Sequence, residues 1–163
     1  QRIVMLPAAL IGVAMSQVYF RESVSAKNSF GQFEGVFLRV AIVPVLIGVP
    51  FAVVLLLFGP DLFLFALGPN WILAGKLSVI YAPYVAVHLV LSTLGPTGLA
   101  ANRQKTMLFV GGVQNIAFLC GLFFGAKIAG DIEGAMFLTV WISIPYMIGM
   151  LIWYWALART QTT

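Results

Sequence analysis

The sequence predicts an all-α fold, a polytopic bundle of about five membrane-spanning helices, and three observations predict it. Of the 163 residues, 61% are hydrophobic and only 9% are charged, against about 25% charged in a soluble domain. That leaves too little polar surface to cover a water-soluble core. The few charges punctuate the chain, leaving residues 3–20, 40–60, 77–102, 106–126 and 134–158 uncharged. Each run approaches or exceeds the length of about 17–25 residues that a helix needs to cross hydrocarbon. None alternates with the period of two that a membrane β-strand shows, and all are far longer than such a strand.

The spans are placed at about 3–20, 38–59, 77–101, 106–127 and 134–158, all in one transmembrane domain, residues 1–163. Residues 62–75 contain Gly68, Pro69, Asn70 and Trp71 and read as an interfacial turn. Residues 21–37 carry Phe30, Phe33 and Phe37 at helical spacing. They read as an amphipathic connection lying on the membrane surface. Pro44 and Pro50 in the second span, Pro83 and Pro96 in the third and Pro145 in the fifth each remove a backbone donor. Bends are expected there. Gly95-Pro96-Thr97-Gly98 reads as a kink or unwound turn.

Lys and Arg give the expected orientation. Arg21, Lys27, Arg39, Arg103, Lys105 and Arg159 fall on one side of this topology; Arg2, Lys76 and Lys127 fall on the other. The richer side is expected to be cytoplasmic. The C-terminus is then cytoplasmic and the N-terminus outside. An outside N-terminus leading straight into a span, in a chain opening on Gln1, is expected if an odd number of helices precedes it. The sequence therefore reads as the C-terminal portion of a longer transporter, with N-terminal helices of the same protein as its partner. A complete five-span protein with a processed start is the other reading.

Catalytic chemistry is not indicated. There is no phosphate-binding glycine loop, no nucleophile elbow and no paired carboxylates at catalytic spacing. The lone Cys120 and single histidine make no metal-ligand spacing. Dispersed charge argues against a nucleic-acid surface. No enzyme activity, cofactor, metal or nucleic-acid partner is expected. The lipid bilayer is the expected surroundings.

Polar residues within the spans are the candidates for function, because such groups face a bundle interior or a water-filled cavity. Tyr81, Tyr84, His88, Ser92 and Gly95 fall within about 80° of one another on a helix. This stripe reads either as the lining of a substrate pathway or as hydrogen bonds between helices. Gln114 and Asn115 lie near the middle of the fourth span, and Gln114 shares a face with Gly121 and Gly125. That glycine pair invites close approach of another helix. Ala8, Gly12 and Ser16 repeat the small-residue pattern in the first span. Thr139, Ser143, Tyr146, Met150 and Trp153 make a stripe expected to point into protein. Arg39, at the mouth of the second span, is placed to anchor topology or to attract an anionic head group. The substrate-pathway candidates are Gln17, Arg39, His88, Gln114 and Asn115.

Three segments carry a family resemblance. They are Leu6-Pro7 through Ser16-Gln17-Val18-Tyr19-Phe20, then Phe58-Gly59-Pro60 through Gly68-Pro69-Asn70-Trp71 to Ala74-Gly75. The third is Ala82-Pro83 followed by Gly98-Leu99-Ala100-Ala101-Asn102-Arg103-Gln104-Lys105. Over most of its length, to about Gly130, the chain resembles the C-terminal half-bundle of bacterial polysaccharide exporters. These are the oligosaccharidyl-lipid flippases (O-antigen-type) of the multidrug/oligosaccharidyl-lipid/polysaccharide exporter superfamily. Asn102 stands where that pattern has glycine; asparagine also accepts a left-handed backbone. The resemblance implies a full protein with two helical bundles around a central cavity in the inner (plasma) membrane. It implies alternating access to a lipid-linked glycan in cell-envelope polysaccharide or lipopolysaccharide synthesis. A multidrug or cation antiporter of the same superfamily, and a non-transporting membrane scaffold, remain the alternatives.

Overall fold

A computed structural model describes the backbone of residues 2–160 and the side chains of residues 13–160. Within it the chain is all-α. Five long helices, α1 (Arg2–Phe30), α2 (Glu34–Leu67), α3 (Ile72–Leu94), α5 (Gln104–Ala129) and α6 (Ile132–Arg159), are joined by short turns. One of these connections holds the single helical turn α4 (Thr97–Ala100). Among the described residues, four candidate membrane spans are long and apolar enough to cross a bilayer: α2, α3 with the turns that flank it, α5 and α6. The expected small-residue face of the first span, at Ala8 and Gly12, lies outside the described side chains.

α3 and α6 are the centre of the bundle. α2 packs along α3, α5 along α6, and α1 against α3 and α2. The outward faces of α2 and α5 are apolar: Phe65, Leu108 and Ile128 are each more than three-quarters exposed. Exposed apolar area on this scale marks a surface that meets lipid or further protein. α5 is the extreme case, since of its residues only Gly121 and Gly125 are buried.

Glycines set the closest helix contacts. A Cβ on Gly121 would lie 3.2 Å from Thr139 Cα, and one on Gly125 would lie 2.9 Å from Ala135 Cα. The Gly-x-x-x-Gly pair thus seats α6 directly on the backbone of α5, as its spacing predicts. Between α2 and α3 the same device is tighter still. A Cβ on Gly75 would meet Pro60 Cα at 2.6 Å, and one on Gly48 would meet Ala86 Cα at 3.3 Å.

The helix boundaries depart from expectation in two places. Residues 21–37 do not form a separate surface helix. Arg21–Phe30 continue α1, and the chain reverses at Gly31, where φ is 73°, before α2 begins at Glu34. The expected Phe30, Phe33 and Phe37 face is therefore split. Phe30 is 80% exposed, whereas Phe33 and Phe37 are buried, Phe37 edge-on to Tyr19 at 6.5 Å between ring centres. The second difference is the length of α2, which runs through Pro60 and Asp61 to Leu67. Its 34 residues reach about 50 Å, well beyond the ~30 Å hydrocarbon core. The interfacial turn shrinks to Gly68–Trp71, with Gly68 at φ 87° and its N–H donating to Leu64 O at 2.9 Å.

The break at residues 95–98 forms as expected: α3 ends at Leu94 and α4 starts at Thr97. Asn102 takes the left-handed conformation at φ 58°. Asp131 caps α6, its Oδ1 accepting from Gly134 N at 2.8 Å. Replacing Asp131 with alanine is expected to cost about 1 kcal/mol, measured by denaturant unfolding in detergent micelles.

The basic end of the bundle is knotted by long-range contacts. Phe33 N donates to Ala158 O at 3.2 Å, docking the α1–α2 turn on the last turn of α6. Trp155 Nε1 donates to Glu34 Oε1 at 2.9 Å, and Lys27 Nζ donates to Ala100 O at 2.9 Å. Thr97 donates its only hydroxyl hydrogen to Leu94 O at 2.6 Å. In the 2.8 Å contact with Thr97 Oγ1, the Tyr19 hydroxyl is therefore the donor. Tyr19, Phe33, Thr97 and Ala158 are all essentially inaccessible. The positive residues that bracket these contacts, Lys27, Arg103, Lys105 and Arg159, thus gather at one end of the bundle.

Candidate functional site

The polar stripe of α3 is built as an aromatic ladder. The rings of Tyr81 and Tyr84 stack at 4.6 Å with an interplanar angle of 27°. Those of Tyr84 and His88 follow at 5.6 Å and 21°. Spacings of three and four residues on a helix bring such rings together on one face. Tyr84 is buried, while Tyr81 and His88 are half-buried. The ladder ends at Ser92, whose hydroxyl donates to Leu89 O of its own helix at 3.0 Å. The Gly95 N–H turns back to Ser92 O at 3.4 Å.

Across from the ladder stands α5. Phe118 approaches Tyr84 at 5.9 Å between ring centres, and Gln114 lies one turn before Phe118 on the same side of α5. The two helices do not pack along their lengths; side chains alone bridge the interval, above the α6 helix that both contact or border. The result is a polar seam of tyrosine hydroxyls, imidazole and amide, walled by aromatic rings. Stacked rings with hydrogen-bonding edges can offer a ligand both apolar and polar contact.

α5 and α6 are closest at Gly121 and Gly125 and separate toward the basic end. There Tyr146 donates across the gap to Val110 O at 2.7 Å. Beyond it lies a cavity of about 330 Å³ lined by Thr106, Val110, Tyr146, Gly149, Met150 and Trp153. Of the fifth-span stripe, Thr139, Ser143 and Met150 are buried and Tyr146 and Trp153 half-buried, so that face does point into protein.

Of the sequence candidates, His88 stacks on Tyr84, and Gln114 lies one helical turn from Phe118, which meets the same ring. The structure separates the other three. Asn115 is exposed and donates Nδ2 to Gly111 O of its own helix at 3.1 Å, so it does not join the seam. Arg39 is exposed in the second turn of α2 and lines neither cavity. Gln17 lines a different cavity, of about 290 Å³, with Ser16, Phe20, Arg21, Pro96 and Leu99. Sequence reasoning missed Phe118, whose partner is on another helix. It also missed Arg21, which it placed at the start of the amphipathic connection of residues 21–37. The signal for Arg21 was its position with Ser16, Gln17 and Phe20 on one face of a helix, legible only if α1 continues past Phe20.

Compared with family models, curated proteins and solved structures, the chain has no match.

Proposed function

We propose that this bundle is part of a transporter that passes lipid-linked oligosaccharide or polysaccharide precursors across the cytoplasmic membrane by alternating access. The basic end is cytoplasmic in this reading, by the excess of Lys and Arg there. The observation that carries it is the Tyr81–Tyr84–His88 ladder with Gln114 opposite. It is a line of ring faces and hydrogen-bonding groups inside helices whose outward surfaces are apolar. A glycan crossing hydrocarbon unaided leaves polar groups unsatisfied, at several kcal/mol each; a polar seam replaces part of its water. The resemblance in sequence to oligosaccharidyl-lipid flippases points to the same cargo.

Exchange between two access states needs contacts that hold and contacts that yield. The α1–α2 turn, α4 and the end of α6 are hydrogen-bonded together, whereas α3 and α5 meet only through side chains. The second pair is the one placed to open. Kinked helices suit such rocking.

The test is a strain lacking the intact gene. It is expected to accumulate lipid-linked oligosaccharide on the cytoplasmic leaflet, and restoring the gene is expected to clear it. His88→Ala and Gln114→Ala are each expected to slow clearance by about tenfold if each removes one net hydrogen bond to the cargo. Asn115→Ala is expected to leave the rate unchanged. Sensitivity to cationic drugs without glycan accumulation would instead favour the multidrug antiporter, and normal glycan export in the deletion strain would favour a scaffold.

A further inference from the structure

We propose that the cavity between α1 and the α3–α4 break is a binding site for the phosphate headgroup of an anionic phospholipid. The inference does not depend on the transport reading. One wall is a single face of α1, with Ser16, Gln17, Phe20 and Arg21; the other is Pro96 and Leu99. The walls are fixed to each other by Tyr19 on Thr97 and by Lys27 on Ala100 O, so the site is formed before any ligand arrives. Its volume, about 290 Å³, is near the lower size of small-molecule pockets, about 300 Å³.

The chemistry of the lining selects an anion. Among the described residues, Arg21 is the one charged residue that lines the cavity, and no carboxylate lines it. A guanidinium presents a planar fork of donors that matches phosphate. Ser16 gives its hydroxyl hydrogen to Val13 O at 2.8 Å, so the donors left for a ligand are Arg21 and the Gln17 amide. Both side chains are exposed toward the surroundings.

The position selects a lipid over a free anion. Arg21 is the first charge after the uncharged run of residues 3–20, which puts it at headgroup depth in the topology read from the sequence. Phe20 and Leu99 line the same cavity and are 38% and 41% exposed. An acyl or glycerol portion covers these groups, while inorganic phosphate gains nothing from them. Basic residues at this depth also attract anionic lipid through the surface field. Such an effect needs no cavity, so the test must separate the two.

Native mass spectrometry of the full chain in detergent, with phosphatidylglycerol or phosphatidylcholine added, reads the bound lipid directly. Phosphatidylglycerol is expected to be retained and phosphatidylcholine not. Arg21→Gln is expected to lower phosphatidylglycerol binding about tenfold, the size of one lost charge-assisted hydrogen bond. Leu99→Trp fills the cavity with all charges intact and is expected to lower binding comparably. Arg39→Gln, at the same end but outside the cavity, is expected to change nothing. The proposal is overturned if Arg39→Gln weakens binding as much as Arg21→Gln, or if Leu99→Trp has no effect. It is equally overturned if inorganic phosphate displaces the lipid at matched concentration.

Discussion

Gly75→Leu is expected to part α2 from α3 and to lower the unfolding stability of the bundle by about 3 kcal/mol or more. A Cβ at this position would stand 2.6 Å from Pro60 Cα and 3.1 Å from Gly59 O. Those are backbone atoms, so no side-chain rotation relieves the overlap. Pro60 is locked in φ and has little freedom to move away. The remaining carbons of leucine enter the most extensive helix contact in the molecule. Gly111 and Gly112 on α5 are the internal control, because a Cβ at either meets nothing within 4 Å. Alanine there is expected to be neutral or to stabilise by up to about 1 kcal/mol through helix propensity. Denaturant titration in micelles measures both. Equal stabilities for the Gly75 and Gly111 variants would show that α2 and α3 are not in the contact described.

Tyr19→Ala is the second large effect, an expected loss of about 3–5 kcal/mol, the range for truncating a buried aromatic residue. Tyr19 is fully buried, packs on Phe37 and donates to Thr97. Its removal leaves a cavity where α1, α2 and the α3–α4 break converge. Tyr19→Phe keeps the ring and removes only the hydroxyl. Thr97 Oγ1 still donates to Leu94 O, so that variant is expected to lose about 1 kcal/mol. Amide hydrogen exchange of residues 31–33 reports the local consequence. Their protection is expected to fall in the alanine variant and to persist in the phenylalanine variant. Indistinguishable behaviour of the two would mean that the ring does not hold the basic end together.

Features set by one stretch of chain were legible in the sequence. Gly121 and Gly125 announce a close helix contact because four-residue spacing puts them on one face. Gly95-Pro96 marks the end of α3, where a flexible glycine and a proline without N–H together weaken the helix. Asn102 takes a positive φ because few residues tolerate one. Features set by distant partners were not legible. Hydropathy ends the first span at Phe20, but Arg21–Phe30 stay helical, held by Tyr19 and Lys27, which bond to other elements. The pairings that matter there, Tyr19 with Thr97, Lys27 with Ala100 and Glu34 with Trp155, join residues 78, 73 and 121 positions apart. Asn115 shows the same limit in reverse. Its type and depth suggest a pathway, yet a neighbouring carbonyl on its own helix takes its amide. His88 and Gln114 were visible as polar groups within spans, but the stacking of His88 on Tyr84 and the approach of Phe118 to that ring were not.

Hydrocarbon is expected to surround the uncharged helices, with the basic end on one membrane face and the α2–α3 and α5–α6 turns on the other. Single cysteines in a Cys120→Ser background measure this with a membrane-impermeant maleimide, applied to intact cells and to inverted vesicles. Cysteine at Asn28 or Gln104 is expected to react only from the cytoplasmic face, at Asn70 or Lys127 only from the outer face, and at Leu46 from neither. Reaction of all four connection sites from one face, or ready labelling at Leu46 in folded protein, would contradict that arrangement.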